Sequence, residues 1–149
     1  MNHEQLDHLT RYLLISPEVF RRRIEKDLLK SAMKDLQLDL AVYHLLVMQT
    51  LAEEGGQTVN EIGEKLAISK SQMTFATDHL IDLGMIIRQS DDEDRRKIRI
   101  DLTLKGRWVS EQLTKNIRQY VASFLGDLRD EEIDQMVEGL KLLYSVTTR

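Results

Sequence analysis

Three observations predict a mainly α-helical fold with one small β-hairpin. Two short helices in succession each open on a capping box, a pair of apolar segments around a charged tip follows at once, and long amphipathic helices flank both. One proline and seven glycines in 149 residues leave room for long uninterrupted helices. A chain of this length buries a substantial core.

In chain order, residues 3–14 carry Leu6, Leu9 and Leu13 at helical spacing. Ser16-Pro17 then reads as a new helix start, with serine as N-cap and proline at the first helical position. From there Phe20, Ile24, Leu28, Ala32 and Leu36 recur every four residues and predict an amphipathic helix. Residues 39–53, with Leu40, Tyr43, Leu46, Val47 and Leu51, are apolar on most sides and predict a central buried helix that Gly55-Gly56 ends.

Thr58 and Glu61 have capping-box spacing, and Val59, Ile62 and Leu66 form one face of the short helix they open. Ser69 and Gln72 repeat the device, and this second helix runs to about Leu83 and stops at Gly84. Two capped helices so closely joined are a helix-turn-helix signature. Met85-Ile86-Ile87-Arg88, the charged stretch Gln89–Lys97, and Ile98-Arg99-Ile100-Asp101-Leu102 then read as strand, polar tip and half-buried strand, which is a wing. Thr103 caps a long helix with Val109, Leu113, Ile117, Tyr120 or Val121, and Phe124 on one face. A last helix from about Asp130 uses Ile133, Met136, Val137, Leu140 and Leu143.

The predicted architecture is therefore a winged helix-turn-helix with long N- and C-terminal dimerisation helices. Residues 38–103 form the winged module, and 1–37 and 104–149 form the helical dimerisation region of a single compact domain. The flanking helices carry more apolar face than so small a module covers, so a partner chain is expected.

The absence of cysteine excludes disulfides, thiolate zinc sites and cysteine redox sensing. Met1–Thr10 lacks a signal pattern, and the most apolar window, Leu36–Met48, is short and interrupted by Gln37, Asp39 and His44, so a cytoplasmic protein is expected. No Gly-rich phosphate loop, nucleophile elbow or His-Glu-x-x-His motif is present, and no enzyme activity or cofactor is predicted. His3, His8, His44 and His79 are scattered, with His3 and His8 on different helix faces, so no metal site is predicted. The net charge of −4 opposes nucleic-acid binding only weakly, because a net sum hides a local patch.

Helical arithmetic on 69–83 places Met73, Ala76, Leu80 and Leu83 toward the core and Ser71, Thr74, Phe75, Asp78 and Asp82 opposite. Lys70, Gln72, Thr77 and His79 fall on the flanks. The outward N-terminal half offers hydroxyl, amide and ammonium groups, which suit base edges and phosphates. A solvated polar face is the plain alternative for an isolated helix, but the position between a capped helix and a wing favours a reader of DNA. Phe75 on that face has three readings: a thymine-methyl contact, part of a partner interface, or a harmless exposed residue. The run Asp91-Asp92-Glu93-Asp94-Arg95-Arg96-Lys97 is either a solvated turn or an arginine that enters the narrow minor groove while an acid holds it.

The run Thr58-Val59-Asn60-Glu61-Ile62-Gly63-Glu64-Lys65-Leu66-Ala67-Ile68-Ser69-Lys70-Ser71 resembles the helix-turn-helix of MarR-family regulators. Leu83-Gly84-Met85-Ile86-Ile87-Arg88, then Asp91-Asp92-Glu93-Asp94-Arg95-Arg96, then Leu102-Thr103-Leu104-Lys105-Gly106, resembles that family's wing and the start of its next helix. The resemblance covers residues 38–106. It implies a homodimer that places the helix at 69–83 in the major groove of a pseudo-palindromic double-stranded operator and the wing in the flanking minor groove, as a sequence-specific regulator and a repressor. Carried over by position, Arg96 is the minor-groove arginine, Asp94 orients it, and Arg95 and Lys97 touch phosphates. Ser69, Lys70, Ser71, Gln72, Thr74 and Phe75 complete the DNA-binding set. Two features depart from the family pattern. Phe75 and His79 stand where basic residues are common, and residues 57–104 hold seven Lys/Arg against nine Asp/Glu. A winged-helix interaction module with weak or lost DNA binding is the alternative function.

The resemblance also implies a small-molecule effector, often phenolic or anionic. Tyr12, Phe20, Tyr43, His44, Met48 and Trp108 are the aromatic or soft residues able to line its pocket, although core packing is the stronger reading of each.

Overall fold

The computed structural model describes residues 1–148. The chain divides into two units, Met1–Ile117 and Arg118–Arg149. Its elements are α1 (His3–Phe20), α2 (Lys26–Ala32), α3 (Val42–Glu54), β1 (Gln57–Thr58), α4 (Val59–Leu66), α5 (Lys70–Asp82), β2 (Ile86–Ser90), β3 (Ile98–Leu102), α6 (Leu104–Phe124) and α7 (Asp130–Thr147). The mainly α-helical class, the wing and the long terminal helices are as the sequence predicts.

In the first unit, one core joins α3, α4, α5, the sheet and the start of α6. Val47, Met48 and Leu51 of α3 lie in it with Ile62, Met73, Leu80, Met85, Ile86, Ile100, Leu102, Val109 and Leu113. Burying each of these apolar side chains contributes about 1.5–3 kcal/mol. The expected helix starts hold. Thr58 Oγ1 accepts from the Glu61 N–H at 3.2 Å, and Glu61 answers with a bond from the Thr58 N–H at 2.8 Å. Ser69 and Gln72 form the second reciprocal cap. The turn between the helices needs Ala67 in the left-handed region, at φ 53°.

The sheet has three strands in the order β1-β3-β2, all antiparallel. Ile86 faces Leu102 and Ser90 faces Ile98, which fixes the hairpin register. The alternation in β3 buries Ile100 and Leu102 and leaves Ile98 outside. The third strand, β1, is only two residues long, and its pairing of Gln57 with Ile100 and Thr58 with Arg99 carries no periodic signal of its own.

Three expectations need correction. Ser16-Pro17 does not start a helix: α1 runs from His3 to Phe20 with Pro17 inside it and continues through a wider π-helical turn, Arg21–Glu25, into α2. Proline has a helical φ and removes one N–H donor, a cost a long helix tolerates. The Arg21 N–H still bonds the Glu18 and Pro17 carbonyls at ordinary helical spacing, and the wider turn begins there. The predicted helix through Leu36 ends at Ala32, because Asp35 and Gln37 adopt φ values of 64° and 53° that no right-handed helix contains. Thr77, assigned to a flank of α5, is 1% exposed.

Asn116 secures the end of α2. Its Nδ2 donates to the Ala32 carbonyl at 2.9 Å and the Lys34 carbonyl at 3.1 Å, groups a helix end leaves without partners.

The second unit holds the end of α6 and all of α7. Asp130, Glu131 and Glu132 lie in the first turn of α7, where acids complement the helix dipole. Tyr120 and Phe124 stack at 5.9 Å. Met136, Val137, Leu140 and Leu143 are exposed in the single chain. Among the described residues, no helix is long and apolar enough to cross a membrane.

Candidate nucleic-acid interface

The N-terminus of α5 and the wing carry the residues singled out from the sequence. Lys70 is the first residue of α5, exposed and without an ion pair among the described residues. Its ammonium stands where free N–H groups and the helix dipole favour an anion. Ser69 and Gln72 are partly committed to the cap: the Gln72 carbonyl oxygen accepts from the Ser69 hydroxyl at 3.1 Å, which leaves the Gln72 amide N–H groups outward. Ser71 lies 3.2 Å from the Ser69 hydroxyl. The Thr74 hydroxyl donates to the Lys70 carbonyl at 3.0 Å.

Phe75 is 58% exposed, yet its ring is not loose. It stacks on His79 at 6.1 Å and meets the edge of Tyr43 at 6.4 Å, with His44 behind at 5.9 Å. His44 itself is buried. Its Nδ1 accepts from the Ala41 N–H at 3.0 Å, so Nε2 carries the proton, and that group has no partner among the described residues. Burial, reinforced by nearby His79, lowers the His44 pKa and keeps the ring neutral at pH 7.

The wing tip is built on Asp91. Its Oδ1 accepts from the backbone N–H groups of Glu93 and Asp94 at 2.9 and 3.0 Å, and its Oδ2 meets Arg99 at 2.9 Å. The Asp91 N–H closes the loop on the Lys97 carbonyl. Arg99 also donates to the Gly56 carbonyl and so ties the wing to the segment before α4. Asp94 Oδ1 then accepts from both the backbone N–H and the guanidinium of Arg96, at 3.1 and 3.2 Å. The Arg96 side chain is 91% exposed, while Asp94 beneath it is mostly covered. Arg95 and Lys97 are exposed beside it and carry no ion pair among the described residues.

Sequence reasoning missed Asp91, Arg99 and the Arg88–Asp78 ion pair at 2.9 Å. An aspartate that bonds the N–H two residues on is a recognisable turn signal, but four acids in one run hide which of them does so.

The Asp91 network depends on acid. Bonds from Arg99 first, and then from the Asp94 and Glu93 N–H groups, hold its pKa at about 2 against the ordinary 3.8. A depressed carboxyl pKa contributes stability that is complete above pH 4 and lost as pH falls through 2. The Glu93 and Asp94 amide resonances are expected to titrate near pH 2. A midpoint close to 4 would contradict the network.

A cleft of about 540 Å³ lies between α4, α5 and the wing, lined by Asn60, Glu61, Thr74, Thr77, Arg88 and Lys97 among others. The residues expected at an effector pocket lie apart from it. His44 and Met48 are in the core, Tyr43 is half-buried against His44 at 4.6 Å, and Tyr12, Phe20 and Trp108 are exposed in the single chain.

Residues 42–98 match the family model described as MarR family. The uncharacterised HTH-type transcriptional regulator YpoP of Bacillus subtilis is 26% identical over 85% of this chain and 89% of its own. The HTH-type transcriptional repressor MdtR of the same organism is 27% identical over 87% and 81%. Among solved structures, the transcriptional regulator BldR from Sulfolobus solfataricus superimposes with a TM-score of 0.80 over 97% of this chain and 99% of that one, at 22% identity. The capped helix pair, the wing and these likenesses agree: residues 42–98 match the MarR family, and the chain has the winged helix-turn-helix fold of the regulators it resembles.

Proposed function

We propose that two copies of this chain bind a pseudo-palindromic DNA duplex, each with α5 in the major groove and the wing in the adjacent minor groove, and that the bound dimer represses transcription. The observation that carries this reading is the wing tip. An arginine stands almost fully in solvent, yet one carboxylate fixes both its backbone and its guanidinium. The minor groove concentrates negative potential, and an arginine held outward in advance loses little freedom on entering it. Lys70 at the α5 N-terminus, with Ser71, Gln72 and Thr74 beside it, faces phosphates and base edges, and Arg95 and Lys97 reach backbone phosphates.

Dimer formation is supported by apolar surface left uncovered in each unit. Leu6, Leu9, Leu13 and Phe20 are exposed on α1, and Leu140, Leu143 and Tyr144 on α7. A soluble chain rarely leaves so much apolar surface uncovered. Repression is named for the relative MdtR and extends here to this chain. A small-molecule effector belongs to the same proposal. Tyr12, Phe20, Tyr43 and Trp108 keep accessible ring surface for it, while His44 and Met48 back the site from the core.

Titration of duplex DNA at increasing salt tests the proposal. Affinity is expected to fall steeply, with a slope of roughly −0.9 in log–log form for each phosphate neutralised. A flat response, or no binding at low salt, would favour the protein-interaction alternative.

A further inference from the structure

The middle of the α5 outward face offers carbon rather than hydrogen-bond donors. Thr74 has committed its hydroxyl hydrogen to the Lys70 carbonyl, and the Asp78 carboxylate one turn on is occupied by Arg88. Between them stands Phe75, 58% exposed and held from behind by three rings. His79 stacks on it, Tyr43 meets its edge, and His44 sits beneath. The support comes from two helices, because Tyr43 and His44 open α3 whereas Phe75 and His79 belong to α5. A side chain kept merely soluble needs no such scaffold. Phe75 lies about 7.5 Å along the axis from Lys70, at 1.5 Å per residue, which is comparable with the depth of a major groove.

Of all the groups that base pairs display in the major groove, only the C5-methyl of thymine is apolar. We propose that Phe75 is a specificity-determining residue that reads a thymine methyl in each half-site, so that this regulator recognises part of its operator by apolar contact where a polar or cationic side chain would read a hydrogen-bonding edge. The inference rests on the DNA-binding reading above. The His79–Tyr43–His44 backing holds the ring in place.

Duplexes selected by the wild-type protein from a random pool supply the probe. Each thymine in them is replaced in turn by deoxyuridine, which removes the methyl and leaves base pairing intact. At one position in each half-site, wild-type affinity is expected to fall about fourfold, the worth of one buried methyl, and about the square of that when both half-sites are changed. Phe75→Ala, checked for an unchanged melting curve, is expected to bind the thymine and deoxyuridine duplexes equally at that position. Phe75→Leu, which retains an apolar side chain, is expected to keep part of the discrimination. If every replacement acts equally on wild type and Phe75→Ala, the thymine reading is overturned while DNA binding stands. If no duplex is selected at all, the DNA-binding reading falls and this inference falls with it.

Discussion

Arg96→Ala lowers affinity for a selected duplex by about 1–3 kcal/mol, roughly 5- to 150-fold. The expectation follows from where the guanidinium stands. Its side chain is 91% exposed and, among the described residues, is hydrogen-bonded and ion-paired with Asp94 alone, so its removal is expected to leave the thermal transition where it was. Lysine is a poor substitute, because it lacks the planar fork that Asp94 orients and that fits between the two sugar–phosphate walls. Asp94→Ala is expected to weaken binding less than Arg96→Ala, since it loosens the arginine without removing it. Competition binding at fixed salt measures both variants. Unchanged affinity for Arg96→Ala would mean that the wing does not enter a groove.

The second large effect concerns the joint between wing and α6. Gly106 sits in the first turn of α6 against the strand that opens the hairpin. A Cβ placed there would come 1.9 Å from the Met85 carbonyl oxygen and 2.9 Å from its carbon, with a Leu102 methyl at 3.1 Å. That carbonyl is not free to move, because it accepts the Thr103 N–H at 3.0 Å in the connection leading into α6. Gly106→Ala therefore forces backbone against backbone. It is expected to cost about 1–3 kcal/mol, even though alanine is the better helix former. Chemical denaturation reads the cost as a lower midpoint. Equal midpoints would show that the helix shifts aside freely.

Much of this architecture was legible in the sequence because its signals are local. Thr58 with Glu61 and Ser69 with Gln72 mark helix starts through bonds that span three residues, and the alternation from Ile98 to Leu102 gives the inward face of β3. What was not legible depends on distant partners. The strand β1 exists only through its register on β3, and Arg99 reaches Gly56 across 43 positions. Asn116 meets Ala32 across 84. Thr77 falls on a flank of a helical wheel drawn from apolar residues alone, yet it is 1% exposed, because the neighbours of α5 reach further around it than that wheel implies. At Ser16-Pro17 a local rule misled, since the same dipeptide serves as a helix start or as a tolerated interior step, and only the path of the whole helix distinguishes them. At the candidate interface, the cap before Lys70 and the Asp94–Arg96 pair are local features that the sequence signals by type and position. The ring cluster behind Phe75 was not, because half of it comes from α3.

Cleavage protection of a selected duplex by the wild-type protein is the most direct measurement. Two protected major-groove segments about one helical turn apart, related by a two-fold axis and flanked by minor-groove protection that Arg96→Ala removes, are the expected pattern. A single unsymmetrical footprint, or flanks that Arg96→Ala leaves protected, would contradict a paired grip through helix and wing.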